Sequence, residues 1–142
     1  MTEYNIRKYI EIITENQGVF QSADGDELPA ILYHGTSLAS WEQFISKQGL
    51  DPSKTDARGV ADDEEDLDYN RGFTFLAWNI RQAREWAPGG YYNTLEEPGA
   101  ILSIKLDEQL ASQIRTALGE FIRCPILIPV SKLSLVEVTN KN

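Results

Sequence analysis

Ile31-Leu32-Tyr33-His34-Gly35-Thr36-Ser37 holds the only histidine of the chain, where an apolar run breaks into a glycine and two hydroxyls. Ala30 to Tyr33 reads as a short buried strand. Ser37 reads as an N-cap, because SLASWEQFISKQGL comes next with Leu38, Trp41, Phe44 and Ile45 at helical spacing and Gly49 as the stop. On this reading His34 and Gly35 occupy a strand-to-helix turn, which leaves backbone N–H groups for a ligand. A single histidine there has an ordinary structural reading as a hydrogen-bond donor. Its meaning depends on what the rest of the chain brings to it.

Downstream, Gly72-Phe73-Thr74-Phe75-Leu76-Ala77 predicts a strand, and Asn79 caps a helix over IRQAREWA that stops before Pro88-Gly89-Gly90. Ala100 to Leu106 predicts a strand with Ile101, Leu102, Ile104 and Leu106 mostly buried. Asp107 caps a helix to about Ala117, and Gly119 breaks it. Glu120-Phe121-Ile122-Arg123-Cys124 opens a strand; Pro125 and Pro129 make 126–128 an edge piece. LSLVEV is the last strand. Upstream, Ile6, Tyr9, Ile10 and Ile13 place one apolar face on a helix over 3–16, which docks on the domain or serves as an arm for a partner. The organisation expected is an N-terminal helix within 1–18, the turn-rich connector QSADGDELP, and one domain over 28–142. The helices do not alternate with strands as strict βαβ units, so the class is α+β.

Composition narrows the function classes. The chain has 142 residues, 42% hydrophobic and 25% charged, as expected of one soluble globular domain. No stretch is apolar enough to span a membrane, and the first residues lack the apolar block of a secretory signal. One cysteine, Cys124, makes neither an internal disulfide nor a cysteine-rich zinc site, so a cytoplasmic setting is expected. The net charge of −9 opposes generic nucleic-acid binding, although Arg71, Arg81, Arg84, Arg115 and Arg123 could still converge on one patch. The run ADDEEDLD reads as a solvated loop. Its spacing matches no EF-hand, so no metal is assigned.

Three pieces in order resemble the ADP-ribosyltransferase superfamily, in its histidine-containing branch of diphtheria-toxin-like toxins and poly(ADP-ribose) polymerases. LYHGT is similar to the first motif, a strand followed by His-Gly-Thr/Ser. GFTFLA with AREWA resembles the second, a Gly-x-Tyr-Phe strand feeding a short Ala-containing helix. GEFIR resembles the third, where a glutamate precedes an aromatic and an aliphatic residue on a strand. The likeness runs from about Ile31 to Val138. It implies a split β-barrel of two small, mainly antiparallel sheets with flanking helices, and NAD as substrate. It also implies mono-ADP-ribosyl transfer to an acceptor, protein rather than nucleic acid given the charge, as in a toxin or a phage effector. An NAD glycohydrolase and an inactive NAD-binding or interaction module remain the alternatives.

The chemistry states what each residue would do. The bond from ribose to nicotinamide is already activated by the pyridinium charge, so an enzyme must hold the nicotinamide and stabilise an oxocarbenium-like sugar. Gly35 lets backbone N–H and C=O approach the carboxamide. By resemblance His34 orients the ribose and Glu120 is the catalytic carboxylate, with the electrostatic logic of glycosidases. Tyr33 and Thr36 flank the first motif, and Thr36 can support His34. Gly72, Phe73, Thr74 and Phe75 belong to the second, and Arg71 beside them suits the NAD phosphates. Two departures stand out. Thr74 occupies the position of the family's stacking tyrosine, which leaves Trp86, Tyr91 or Tyr92 to meet the ring. Leu118 stands where arginine-modifying relatives carry Gln or Glu, so that specificity is not expected. Glu137 is a rival carboxylate expected to face out, and Phe73, Phe75, Trp41, Phe44 and Trp78 are expected in the core.

Overall fold

The computed structural model describes residues 20–54, 72–91, 93–116 and 122–140. The expected helix over 3–16, the ADDEEDLD run, Arg71, Tyr92, Leu118 and Glu120 lie outside the described residues.

Two two-residue strands, β1 (Phe20–Gln21) and β2 (Glu27–Leu28), pair antiparallel. QSADGDELP is therefore a hairpin and not a plain connector. The Ser22 hydroxyl accepts the Asp24 and Asp26 N–H groups at 3.2 and 3.1 Å and closes the turn. Fully buried Leu28 and partly buried Phe20 join the main core, so this hairpin packs on the domain.

Strand β3 spans Ile31–Ser37, longer than expected, so His34 and Gly35 are strand residues and not turn residues. The cause is its partner. β5 (Gly99–Lys105) pairs with β3 along its whole length, from Ile31↔Lys105 to Ser37↔Gly99. Ser37 caps the adjoining helical run by accepting the Ser40 N–H at 3.0 Å. That run, α1, comprises Leu38–Ser40, a π turn over Trp41–Ile45, and Ser46–Gln48. Gly49 stops it at φ +85°. The π turn adds a residue to the helical circuit. It buries Ile45 and turns Phe44 outward, 54% exposed, against the expectation of core.

β5 is the middle strand of the sheet β3-β5-β7, with β7 over Leu133–Thr139. Both faces of β5 are covered. Ala100, Leu102 and Ile104 enter the main core with Leu32, while Ile101 enters a second cluster with Ala77, Ala83 and Ala87. Burying each of the larger side chains contributes roughly 1.5–3 kcal/mol. β4 (Thr74–Leu76) pairs with β6 (Ile122–Cys124). α2 (Ile80–Trp86) is capped by Asn79, whose side chain accepts the Gln82 N–H at 2.8 Å. Asp107 caps α3 in the same way, but α3 covers only Glu108–Ala111. The expected continuation to Ala117 is overridden because Arg115 pairs with Arg123 through both backbone bonds, and Ile114 is fully buried.

The architecture is α+β. The described strands form small antiparallel sheets and no closed barrel.

Candidate active site

The first motif is built by a ladder that opens. Tyr33 donates its N–H to the Ala77 carbonyl at 2.9 Å and accepts the Ala77 N–H at 2.7 Å. Antiparallel ladders alternate, so Gly35 directs its own N–H and C=O to the same edge. The position opposite Gly35 would be Phe75, yet no backbone bond joins the two. The Phe75 carbonyl instead accepts from the His34 ring, Nδ1 to O 2.7 Å. The imidazole thus takes the bond that would have continued the ladder, and β3 and β4 part beyond the Tyr33–Ala77 bridge. Gly35 is buried, and among the described residues nothing bonds its N–H or its C=O. Buried backbone groups without partners are uncommon and point to a ligand or water.

A carbonyl can only accept, so Nδ1 of His34 carries the proton and Nε2 of the neutral ring is an acceptor. Burial of the half-covered ring holds its pKa below the ordinary 6.5; the Phe75 bond pulls upward by less. The neutral form therefore dominates at neutral pH, and no described residue bonds Nε2. The same shift makes stability depend on pH. The folded pKa lies below the unfolded one, so the contribution of His34 is complete above about pH 6.5 and declines as pH falls through the folded value. The wild type is expected to lose more melting temperature between pH 7.5 and 5.5 than His34→Gln does. Parallel curves for the two proteins would contradict it.

Phe75 and Trp86 complete the neighbourhood. Their rings stack with centroids 5.8 Å apart and planes 12° from parallel. Trp86, half-buried, is the last residue of α2, and that helix lies directly on β3. A Cβ added at Gly35 would sit 2.0 Å from the Ala83 carbonyl oxygen and 3.0 Å from the Ala87 nitrogen. The missing side chain at Gly35 is thus required by helix packing, while its backbone polar groups point elsewhere, along the strand edge. His34 touches Phe75, Phe75 touches Trp86, and the helix carrying Trp86 touches Gly35. These four residues converge.

Other expected members do not. Thr74 is fully buried, on the opposite side of β4 from Phe75. The ring of β4 that reaches Trp86 is therefore that of the next residue, Phe75, and not the side chain at the position that matches the family tyrosine. Phe75 is buried, as expected, but against Trp86. Trp78, expected in the core, is 36% exposed. Tyr33 packs on the second cluster and Thr36 is half-buried in β3. Gly72 is exposed at φ +82°, a turn conformation that suits glycine. Tyr91 is 80% exposed.

Two arrangements were not read from the sequence. Arg123 is buried opposite Phe75, and its guanidinium lies 4.6 Å from the centre of the Phe73 ring. The signal was available: Ile122 and Cys124 alternate into the core, so Arg123 must turn to the other face. Glu137 does not simply face out. Arg84 grips it from α2 with two bonds of 2.6 Å and holds its carboxyl below the usual range. Cys124 is buried, which pushes its thiol pKa up and suits a core role.

Comparison with protein-family models, curated proteins and solved structures finds no match for this chain.

Proposed function

We propose that this protein is a mono-ADP-ribosyltransferase that cleaves NAD between ribose and nicotinamide and passes ADP-ribose to an acceptor. The observation that carries the reading is the buried N–H and C=O of Gly35, both without partners among the described residues, beside the Phe75–Trp86 pair. One donor and one acceptor on a strand edge are the complement of a primary carboxamide. An aromatic face beside them suits the flat ring that bears it. At 5.8 Å the pair is too close to admit a third ring, which needs roughly 7 Å at ordinary carbon contact. The nicotinamide therefore lies beside the Phe75–Trp86 pair and not between its rings.

In this reading Nε2 of His34 accepts a ribose hydroxyl and sets the angle of the sugar. Glu120, assigned by the resemblance of GEFIR to the third motif, faces the positive charge that develops on the sugar. The parting of β3 from β4 beyond the Tyr33–Ala77 bridge supports a split barrel of the ADP-ribosyltransferase type. Leu118 argues for an acceptor other than the arginine of the toxin relatives.

Melting in the presence of NAD tests the site. At tenfold excess over Kd a ligand of the native state adds roughly 1.4 kcal/mol, a rise of about 5 °C for a domain of this size. Trp86→Ala should weaken NAD roughly three- to tenfold, and Trp86→Phe should retain most of the affinity. No rise with NAD at millimolar concentration would remove the reading. Labelled NAD then identifies the reaction. Label on a macromolecule means transfer, free ADP-ribose alone means a glycohydrolase, and binding without either means an NAD-binding module.

A further inference from the structure

We propose that the surface formed by Tyr91, Leu95, Glu85, Glu96 and Glu97 docks a basic polypeptide segment bearing apolar side chains. Tyr91 and Leu95 are 80% and 60% exposed, the highest values among the large hydrophobic residues described. They do not project from a loose chain. Gly89 N–H donates to the Asn93 carbonyl at 2.8 Å, Gly90 N–H to Ala87 at 2.9 Å, and Leu95 N–H to the Asn93 side chain at 3.2 Å. The Asn140 amide donates to the Pro88 carbonyl at 2.6 Å and ties this turn to the end of β7. Gly90 lies against the backbone of Arg84 and Glu85, where a Cβ would meet the Arg84 carbonyl oxygen at 2.1 Å. A braced turn that exposes a tyrosine and a leucine pays little ordering entropy on binding.

The charges choose the partner. Glu85 and Glu96 are exposed and Glu97 is half-buried, and none pairs with a cation among the described residues. Arg84 is engaged by Glu137, and Arg81, one turn back on α2, forms no ion pair with Glu85. Two exposed apolar side chains within a few residues of these three carboxylates disfavour phosphate and anionic lipid, and a purely apolar partner would desolvate those carboxylates without compensation. Lysine or arginine between apolar side chains meets both demands. The Asn93 amide donates to the Trp86 carbonyl at 3.5 Å, so this surface adjoins the candidate site. Naming the docked segment as part of the acceptor rests on the transferase reading; the surface itself does not.

The test uses the full chain and a fluorescein-labelled peptide of three Lys-Leu-Lys-Ser repeats, with a control in which Glu replaces every Lys. Anisotropy should show salt-sensitive binding of the lysine peptide and none of the control. The double variant Tyr91→Ser/Leu95→Ser and the triple variant Glu85→Gln/Glu96→Gln/Glu97→Gln should each weaken it roughly tenfold or more. Both should keep the wild-type melting temperature and the wild-type response to NAD. Equal binding by the variants, equal binding of both peptides, or no binding overturns the proposal. Peptide binding as expected without an NAD response would leave the surface standing and remove the transferase reading. An NAD response without peptide binding would do the reverse.

Discussion

Replacing Glu120 with glutamine is expected to slow nicotinamide release from NAD by roughly 10²–10⁴-fold with NAD affinity nearly unchanged. Glutamine keeps the size of the side chain and an oxygen that can accept from a ribose hydroxyl. It removes the negative charge. In bound NAD the positive charge sits on the pyridinium ring; as the bond breaks, it moves to the sugar. A carboxylate beside the sugar is therefore worth more in the transition state than in the ground state, and its loss falls on kcat more than on KM. The measurement is single-turnover release of nicotinamide, with NAD binding monitored separately by melting. Glu137→Gln is the control. Its carboxylate is gripped by Arg84, so that variant should loosen the link between α2 and β7 and leave the chemical step alone. Wild-type turnover in the Glu120 variant would sink the catalytic assignment.

Gly35→Ala is expected to cost about 3 kcal/mol or more, a fall in melting temperature of roughly 10 °C. The new methyl carbon would lie 2.0 Å from the Ala83 carbonyl oxygen, a backbone atom that no rotamer change can move. α2 must lift from β3. The small residues Ala83 and Ala87 then separate from Ile101, and Trp86 is drawn away from Phe75. The stabilisation by NAD should disappear with it. Gly72→Ala makes the instructive comparison. A Cβ there meets nothing within 4 Å, and only the φ of +82° opposes it, so the cost should be about 1–2 kcal/mol. If Gly35→Ala melts no lower than Gly72→Ala, the close approach of α2 to β3 is wrong.

Both experiments depend on features of different legibility. The three caps, Ser37, Asn79 and Asp107, each act as their sequence context indicates, and Gly49 ends α1 with a positive φ. Capping is settled by atoms within a few residues, so it can be read locally. β5 was legible for another reason: Ala-Ile-Leu-Ser-Ile-Lys-Leu is too apolar to leave either face in water. The misreadings share one cause. His34 and Gly35 looked like turn residues because a histidine followed by a glycine breaks an apolar run. β5 holds them in a strand by offering partners through Ser37. α3 ends early because Arg123 offers Arg115 a backbone partner. Phe44 leaves the core because the π turn shifts its phase.

The candidate site divides along the same line. Its chemistry was visible as residue types: one imidazole beside a glycine, aromatic residues on a downstream strand, and a tryptophan closing a short helix. The choice of Phe75 over Thr74, the use of Nδ1 to hold the Phe75 carbonyl, and the grip of Arg84 on Glu137 could not be read. The two hydrogen-bonded contacts each join groups about forty or more positions apart. Which groups meet at such separations is decided by strand register and helix packing, where a shift of one residue moves every side chain to the other face. The amino-acid order by itself determined the caps, the helix stops, the doubly buried strand and the acidic field. Only the folded arrangement decided that the β3–β4 ladder stops at Tyr33–Ala77 and leaves the Gly35 backbone open, because an imidazole from one strand took the bond the next backbone pair would have made.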